Sequence, residues 1–392
     1  MTPLTAASYQ RCVFLDNHST TPMDPRVIAD METAFRSVFG SAESRHHVFG
    51  NASGNAVDRS RSSIERLCGA KSGTIILTAS ATESNNLAIL GSVGTSKDGS
   101  HIVSTASEHL SVLLPLRSLN ARIESTILSV DSRGEITVDQ VEAAIGPKTV
   151  LVSVIFVNNE VGTINPIADI GAVCRKRGIL FHTDATQAVG KLPINLLELP
   201  IDLMSFSAHK IYGPKGVGAL YVNRETVGTR LKPIMYGGGQ ENGLRPGTLP
   251  VPLVSGFGTA CDLAREAMDD DANRIGAMRD RLWERFQNEI PNIVLNGNPT
   301  NRLYNNLNVS FLGIPSEAFM TKLRGIIAVS AGSACTSSNP EPSHVLMAMG
   351  IHSDRIESAI RFGIGRFNTM AEIEFIADQI RDTVLELRLH FR

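Results

Sequence analysis

The sequence predicts an α/β fold in which a doubly wound, mostly parallel sheet carries helices on both faces. One observation is that short apolar runs bounded by turn residues alternate with segments whose apolar residues recur at helical spacing. A second is the run VLVSVIFV at 150–157, which is apolar almost throughout, as expected of a strand covered on both faces. Sheets of this kind bind ligands beyond the carboxyl ends of their strands, and we expect the functional site there.

Six apolar runs make up the predicted sheet, and three helix-period segments lie between them. The predicted strands are 74–77, 101–104, 150–157, 179–182, 203–206 and 218–222, and the predicted helices are 83–90, 138–145 and 167–177. After about residue 260 the pattern changes to a charged helical stretch at 262–289, followed by strands at 292–297 and 305–313 and helices at 316–324 and from residue 371. This change predicts a second, smaller α/β domain.

The composition excludes several classes of ligand. The 392 residues are 42% hydrophobic, and 37 Lys and Arg residues balance 39 Asp and Glu residues without a block of either sign. Nucleic acid and anionic membranes are therefore not expected partners, and the ligands should be small molecules. The apolar run at 149–157 is too short to cross a bilayer, and the N-terminus lacks a basic segment followed by an apolar run. We expect a cytosolic protein, because residues 1–12 are too short for an organellar targeting segment.

The five cysteines indicate neither a disulfide framework nor a metal site. Cys12, Cys68, Cys174, Cys261 and Cys335 lie far apart, without a CxxC pair. The sequences around Cys68, Cys174 and Cys261 are apolar or helical, which favours small packed side chains. Cys335 lies in SAGSACTSSNPEPS, among small and polar residues typical of an exposed loop, where a thiol can react. Loop cysteines are usually incidental, so this context alone leaves both interpretations open.

Two neighbouring segments bring an acid and an amine to one edge of the predicted sheet. In FHTDATQAVGK a strand ends at Asp184, and in MSFSAHKIYGPKG the next strand ends at Ser207, followed by His209 and Lys210. An enzyme that uses pyridoxal 5′-phosphate (PLP) requires a lysine for the Schiff base and an acid paired with the pyridine nitrogen. Lys210 and Asp184 can supply these groups. Taken singly, Asp184 is equally well explained as a helix cap and Lys210 is better explained as a solvated lysine.

Three further segments can hold the polar parts of a ligand at this edge. In TASATESNNLAI a strand leads to Thr82 at the start of a helix, where backbone N–H groups and the helix dipole favour a phosphate. GGGQENGLRPGT is glycine-rich and contains an arginine and a threonine, and VNNEVG places Asn158, Asn159 and Glu160 after the buried strand. Each segment has an ordinary alternative: a helix cap, a flexible surface loop and a turn cap, respectively.

Taken together, these segments resemble the cysteine desulfurases that feed iron–sulfur cluster assembly, within the class V aminotransferase-like PLP enzymes of fold type I. The similar motifs follow the family's order along nearly the whole chain: LDNHSTTP (15–22), SRHHVFGN (44–51), ATESNNLA (81–88), SEHLSV (107–112), VNNEVGTI (157–164), HTDATQAVGKLPI (182–194), DLMSFSAHKIYGPKGVGALYV (202–222), GLRPGTLPV (243–251) and SAGSACTSSNPEPSHVLMAMG (330–350). We accordingly expect a large PLP-binding domain at 22–262 and a small domain, made of 1–21 and 263–392, that carries the cysteine loop.

The resemblance implies roles for individual residues around the cofactor. Lys210 forms the Schiff base, Asp184 pairs with the pyridinium, Gln187 hydrogen-bonds the phenolic oxygen, and His109 stacks on the ring and assists proton transfer. The phosphate is held by Ala81, Thr82, Ser207, His209 and, across a homodimer interface, the partner subunit's Thr248.

The resemblance also implies how the substrate is held. Asn159 and Arg361 grip the substrate carboxylate, and Asn159 also contacts the cofactor. A bidentate arginine suits a carboxylate. A structural ion pair is the competing explanation for Arg361, because its neighbours in AIRFGIGRF are mostly apolar.

The implied activity converts L-cysteine to L-alanine. Lys210 takes the α-proton, the PLP ring stabilises the resulting carbanion, and the Cys335 thiolate attacks the substrate sulfur to become a persulfide. The sulfur then passes to an acceptor or scaffold protein for iron–sulfur cluster or thio-cofactor synthesis. Alternatives on the same fold are a selenocysteine lyase and a small-amino-acid aminotransferase, which Cys335 in GSACTS disfavours. A non-catalytic interaction platform is disfavoured by the presence of Lys210, Asp184, His109 and Cys335 together.

The chain departs from the family pattern at four places. Ser41-Ala42 stands where the family commonly has Asn-Pro, and Val48 where a basic residue is common. Both changes lie near the expected substrate entrance. Pro246 stands where a small residue is usual and would stiffen the expected contact across the dimer. The sequence ends at Arg392, without the longer tail by which relatives engage a scaffold protein.

Overall fold

The computed structural model describes residues 12–71, 74–94, 99–119, 123–331 and 342–390, and within them the largest sheet has seven strands. In chain order the strands of the molecule are β1 (Val13–Phe14), β2 (Ile75–Thr78), β3 (Ser100–Thr105), β4 (Ile123–Leu128), β5 (Thr149–Ser153), β6 (Leu180–Asp184), β7 (Leu203–Ser207), β8 (Gly218–Val222), β9 (Ile293–Leu295), β10 (Asn306–Phe311), β11 (Ile327–Ala328), β12 (Ser330–Ala331) and β13 (Ala359–Gly363). The order in the large sheet is β2-β8-β7-β6-β5-β3-β4. Of these described strands, six run in the same direction and β8 runs in the opposite direction. The predicted α/β fold with a mostly parallel sheet is therefore confirmed.

Helices cover both faces of this sheet. In chain order the α-helices are α1 (Pro25–Ser37), α2 (Val48–Cys68), α3 (Ala81–Val93), α4 (Leu110–Ser118), α5 (Val138–Ala144), α6 (Ile167–Lys176), α7 (Arg224–Val227), α8 (Val251–Glu289), α9 (Ser316–Lys322), α10 (His344–Ala348), α11 (Ser353–Glu357) and α12 (Met370–His390). Adjacent residues of one strand belong to different apolar clusters: Leu180 packs with Leu87 of α3, whereas Phe181 packs with Phe257 of α8. Burial on both faces is the reason that these strands are almost wholly apolar.

The largest differences between predicted and observed ends occur in two elements. The run at 150–157 leaves regular strand geometry after Ser153, although Val154 and Phe156 still donate backbone hydrogen bonds to β6. The helix predicted from residue 262 begins at Val251. Its first turns lie against the sheet, and their sequence VPLVSGFGTAC lacks the polar stripe from which an amphipathic helix is recognised.

A second, smaller sheet follows α8 in the chain. Its order is β12-β13-β10-β9, and all of these described strands pair antiparallel. The N-terminal strand β1 lies beside this region, because it pairs in parallel with β11. The apolar cluster beneath the small sheet includes Phe311 and Phe362 from its strands, Leu282 and Phe286 from α8, and Ile376 from α12.

The long helix α8 connects the two parts of the molecule. Its residues Val254 and Ala264 belong to a cluster of the large sheet, and Ile275 and Phe286 belong to the cluster of the small sheet. The change from one cluster to the other occurs within the helix, without a loop. In the part of the chain that the structure describes, no helix is long and apolar enough to cross a membrane.

Candidate active site

A cavity of about 620 Å³ lies beyond the carboxyl ends of the parallel strands. Its walls come from segments that follow β2, β3, β5, β6 and β7, together with the N-terminal segment and the edge of the small sheet. Nine of the twelve predicted site residues line it: Ala81, Thr82, His109, Asn159, Asp184, Gln187, His209, Lys210 and Arg361. The structure therefore brings together side chains that are far apart in sequence.

Lys210 lies in a short 3-10 helix that follows β7 directly. Its Nζ donates to the carbonyl oxygens of His18 and Ser19, both at 2.6 Å. Burial, reinforced by the nearby Arg361 guanidinium, lowers the pKa of Lys210 to about 8. The amine therefore loses its proton much more readily than an exposed lysine, as a Schiff-base lysine and a proton acceptor both require.

Asp184 ends β6, and each of its carboxylate oxygens accepts a hydrogen bond. The Oδ1 atom accepts from the backbone N–H of Thr186 at 2.9 Å, and Oδ2 accepts from Nδ2 of Asn85 at 2.8 Å. Asn85 is fully buried in α3, and its Nδ2 also donates to Oγ of Ser111 at 2.8 Å. The backbone contact makes Asp184 the cap of a turn and not, as the alternative from sequence had it, of a helix, because residues 186–191 form turns.

His109 caps the N-terminus of α4, and this contact fixes its ring. Its Nδ1 accepts from the backbone N–H of Ser111 at 3.1 Å and lies 2.7 Å from Oγ of the same residue. Because Nδ1 is an acceptor, the proton of the neutral ring lies on Nε2. Burial lowers the pKa of His109, with Lys210 acting in the same direction and Asp184 against it. At neutral pH the ring is therefore uncharged and presents an N–H donor at Nε2.

The N-terminus of α3 faces the cavity through Ala81 and Thr82. Ser80 caps the helix, and its Oγ accepts from the backbone N–H of Glu83 at 3.3 Å. Gly218 on β8 permits this approach, because a Cβ there would lie 2.7 Å from the carbonyl carbon of Ser80 and 3.0 Å from the backbone nitrogen of Ala81. Free backbone N–H groups at a helix start bind anions, so this is where a phosphate fits.

Arg361 of β13 forms the opposite wall. Its Nη1 donates to the Asn159 carbonyl at 3.0 Å, and its Nη2 donates to Oδ1 of Asp16 at 2.9 Å and to Oγ of Ser19 at 2.7 Å. The Nε atom is buried and contacts no acceptor among the described residues. The structural ion pair considered from sequence is thus present, with Asp16 as the partner, and the guanidinium keeps a donor that a substrate carboxylate can use.

The remaining three predicted residues lie elsewhere. Ser207 ends β7, does not line the cavity, and its Oγ donates to the carbonyl of Val217 at 3.3 Å. Thr248 is exposed and also does not line the cavity of its own chain, so its role across a dimer stays a prediction. Cys335 lies outside the described residues. Ser330 lines the cavity, and Ser343 donates to Glu160, which lines it too, so the described chain on both sides of residue 335 reaches this site.

The other cysteines do not contribute to the site. Cys68, Cys174 and Cys261 are fully buried, as predicted for packed side chains. Burial raises the pKa of Cys68 and of Cys174 to about 12, and that of Cys261 is raised well above its ordinary value. Cys12 is partly exposed, and partial burial raises its pKa as well. None of these four thiols is therefore an effective thiolate near neutral pH.

The groups around the cavity match those that PLP requires. An amine of lowered pKa, a carboxylate, a helix N-terminus for the phosphate and a flat neutral imidazole all face one space. In addition, Oγ1 of Thr186 is buried at the cavity wall and contacts no polar partner among the described residues, so it is available to a polar ligand. PLP therefore fits this set of residues.

Several residues around the site received no role from the sequence. Asp16, His18, Asn85, Ser111 and Lys191 all make side-chain contacts to the predicted site residues. All five lie in or beside the motifs of the resemblance. In sequence, however, a polar residue next to a strand end is as typical of a turn as of a site, and only its partner in space distinguishes the two.

Known proteins are similar to this chain over nearly its whole length. The family model aminotransferase class-V matches residues 13–376. The cysteine desulfurase IscS of Rickettsia felis is 44% identical over 380 residues, which cover 96% of this chain and 92% of that protein. The cysteine desulfurase of Homo sapiens is also 44% identical over 380 residues, covering 96% of this chain and 83% of that protein. Among solved structures, a NifS-like protein superimposes with a TM-score of 0.89 at 32% identity, covering 96% of this chain and 100% of that one.

Proposed function

The chain belongs to the aminotransferase class-V family and is a PLP-dependent cysteine desulfurase, and on this basis we propose which residues perform each part of the reaction. The observation that carries the proposal is that Lys210, Asp184 and the N-terminus of α3 face one cavity. When bound, PLP supplies an electron sink that stabilises negative charge at the substrate α-carbon. The remaining tasks belong to side chains of the protein.

Three groups hold the cofactor. Lys210 binds it covalently through Nζ, Asp184 accepts a hydrogen bond from the pyridinium, and the backbone N–H groups of Ala81 and Thr82 bind the phosphate. Asp184 suits its task because it is 4% exposed and its position is fixed by the two hydrogen bonds described above. A buried carboxylate that is held by two hydrogen bonds accepts a further hydrogen bond from one fixed direction.

Arg361 and Asn159 orient the substrate. The guanidinium of Arg361 meets the carboxylate of cysteine, and Asp16 is its counter-ion before the substrate arrives. The substrate carboxylate then competes with Asp16 for the same cation. This exchange favours ligands that carry a carboxylate, because a neutral ligand cannot replace the ion pair between Arg361 and Asp16 that is lost.

Lys210 and His109 move protons. A lysine whose pKa is lowered to about 8 is neutral in about a tenth of the molecules at pH 7, whereas an ordinary lysine is almost entirely protonated there, so Nζ of Lys210 is the better acceptor for the α-proton. His109 is neutral and donates at Nε2, which suits it to stabilise or protonate the departing product.

Cys335 accepts the sulfur. Its Sγ, as thiolate, forms a bond to the substrate sulfur while the bond from that sulfur to carbon breaks, and the electron pair of that bond stays with the carbon fragment. That fragment gains one proton at its β-carbon and regains one at its α-carbon from Lys210, and it thereby becomes alanine, while the sulfur remains on Cys335 as a persulfide. Support comes from Ser330 and Ser343, which place the chain on both sides of residue 335 at the cavity, and from the high pKa of the three buried thiols.

Assembly and location extend the same proposal. We infer a homodimer in which the partner subunit's Thr248 completes the phosphate site, a domain division near residue 262, a cytosolic location, and transfer of the sulfur to an acceptor or scaffold protein. The exposure of Thr248 on its own chain supports the first of these.

The experiment that tests the function is direct. Purified protein is incubated with L-cysteine, and alanine and sulfide are measured with and without a thiol reductant. Equal amounts of alanine and of sulfur, the latter released as sulfide by the reductant, are expected. Alanine without any sulfur on the protein or in solution would contradict the assignment.

A further inference from the structure

The side-chain amide of Gln187 is held in one orientation by two neighbours. Its Oε1 lies 3.0 Å from Nζ of Lys191 and 3.1 Å from Nδ1 of His18, and its Nε2 donates to the carbonyl of His18 at 2.9 Å. If the amide were turned over, its NH2 group would face the Lys191 amine, and its oxygen would face a carbonyl oxygen. One N–H of Gln187 is used by His18, and the other is left for the cavity that Gln187 lines.

The proton of His18 lies on the nitrogen that faces Gln187. The other nitrogen, Nε2, lies 3.2 Å from Nδ2 of Asn306. Asn306 is itself fixed, because its Nδ2 also donates to the Glu160 carbonyl at 3.1 Å and its Oδ1 accepts from Arg302 at 3.2 Å. Nε2 of His18 is therefore an acceptor, and the neutral ring donates from Nδ1 to Oε1 of Gln187. Burial keeps the ring neutral, since it lowers the pKa of His18 well below the ordinary value.

Lys191 approaches the same oxygen from the interior of the protein. It is 6% exposed, and its Nζ also donates to the backbone carbonyl of Gln187 at 3.3 Å. Within the described residues no ion pair joins it to a carboxylate. Burial, with Lys210 acting in the same direction, lowers the pKa of Lys191 to about 7, so the amine is partly neutral at neutral pH, and in either state its N–H groups donate to Gln187.

We propose that Lys191 and His18 are positioning residues that fix Gln187 as a hydrogen-bond donor toward the bound cofactor. The inference rests on the proposed function, in which Gln187 meets the phenolic oxygen of PLP. A donor stabilises the negative charge of that oxygen, and the neighbouring linkage to Lys210 then holds a proton less tightly. An amide that could turn over would present its own oxygen there and favour the protonated linkage.

Other charges reach the same place and must stay constant in a test. Around Lys191 and His18 these are Lys210 and His209 after β7 and Arg361 on β13, and the carboxylates of Asp16 and Asp184 act on Lys210. The Lys191→Met substitution retains the length of the side chain and leaves all five groups in place. Lys176→Met is the matched control, because Lys176 is an exposed lysine on α6 and does not line the cavity.

The experiment measures the pH midpoint at which the visible absorbance of the PLP-loaded protein changes, without substrate. Lys191→Met and His18→Leu should each move the midpoint upward by about one pH unit, the effect of losing a hydrogen bond to a charged group. Lys176→Met should leave it unchanged. Circular dichroism and PLP content, measured on the same samples, show whether each variant is folded and loaded. Gln187→Ala alone should also raise the midpoint.

The decisive variant combines Lys191→Met with Gln187→Ala. If Lys191 acts through Gln187, the second substitution adds less than about 0.3 pH unit to the first, since interacting residues are not additive. Fully additive shifts, or an unchanged midpoint in folded Lys191→Met protein, would overturn the inference. An unchanged midpoint in Gln187→Ala would instead overturn the role of Gln187 in the proposed function.

Discussion

The side-chain nitrogen of Asn85 lies 2.8 Å from a carboxylate oxygen of Asp184, and both residues are buried beside the large sheet. We predict that Asn85→Leu, which removes this donor at similar volume, lowers kcat about tenfold, because hydrogen bonds to charged groups contribute roughly 1.5–3 kcal/mol. PLP content should change little, since Lys210 and the helix N-terminus are untouched. Steady-state kinetics with cysteine measure the effect. Asn86→Leu is the control, because among the described residues the Asn86 side chain bonds only the Thr82 carbonyl of its own helix; an equal loss in both variants would count against the role of Asn85.

Lys210→Ala should abolish the covalent attachment of PLP. The only proposed attachment is to Nζ of Lys210, and the buried Lys191 is already engaged with Gln187. Borohydride reduction followed by peptide mass spectrometry should find the cofactor on Lys210 in the wild type and on no residue in the variant. A reduced adduct on another lysine of the variant would contradict the assignment.

Cofactor-free protein should react with PLP with a pH dependence centred near 8. The neutral amine is the nucleophile, so the rate rises as the pH passes the pKa of Lys210, about 8, and levels off above it. An ordinary lysine would still gain rate at two pH units higher. Stopped-flow absorbance measures the rate. Asp16→Asn should move the midpoint to lower pH, because the Asp16 carboxylate favours the protonated amine; a midpoint near 10 in the wild type would refute the prediction.

Cys335→Ser should bind PLP, and its visible absorbance should still change when cysteine is added and binds. It should form no protein persulfide and release little alanine. Binding depends on Lys210, Asp184 and Arg361, whereas sulfur removal depends on the thiolate. Intact-protein and peptide mass spectrometry after brief exposure to cysteine provide the readout. Cys12→Ser serves as control and should behave as the wild type, since Cys12 is not at the cavity. A persulfide on a cysteine other than Cys335 would redirect the mechanism.

Mixed dimers can test whether Thr248 acts on its own chain or on the partner. Light scattering should show a dimer, and Thr248→Ala should weaken PLP retention. In a heterodimer of a Lys210→Ala chain and a Thr248→Ala chain, one of the two sites contains an intact Lys210 and receives an intact Thr248 from the other chain. That heterodimer should therefore retain about half of the wild-type activity. Activity of about half that of Thr248→Ala homodimers would show that Thr248 acts within its own chain, because the heterodimer would then contain one impaired site and one site without Lys210.

In the described chain, six of the seven strands of the large sheet could be predicted because they carry a strong signal, whereas β4 at the sheet edge was missed because none of its residues is buried. Apolar runs such as 203–206 and 218–222 are buried on both faces, and the structure places strands there almost to the residue. The start of α8 could not be predicted, because a helix end packed against the sheet has no polar stripe. The short strands β11 and β12 were also missed, since two residues give no periodicity.

The residues proposed to contact the cofactor could be predicted from the sequence, whereas the residues that hold them in position could not. Lys210 and Asp184 follow strands, and their chemistry identifies a cofactor. Asn85 and Lys191 look like ordinary helix and turn residues in sequence, and their importance arises from partners 99 and 4 residues away, reached only in the folded chain. Ser207 shows the reverse case: it stands at the predicted place, yet its hydroxyl bonds the backbone of Val217 and does not face the cavity.

The helix α8 has a practical consequence for anyone who wishes to isolate a part of this enzyme. Its 39 residues span roughly 58 Å at 1.5 Å per residue, and this one continuous helix carries apolar side chains of both the large-sheet cluster and the small-sheet cluster. A chain cut near residue 262 would leave Ala264 without the helical turns before it, and Ile275 and Phe286 on a helix whose first half is gone. Each fragment would expose an apolar stripe to water and should precipitate or bind its counterpart. Expression trials of separate fragments should therefore fail unless both are produced together, in which case the broken helix should reassemble as a nicked but functional chain.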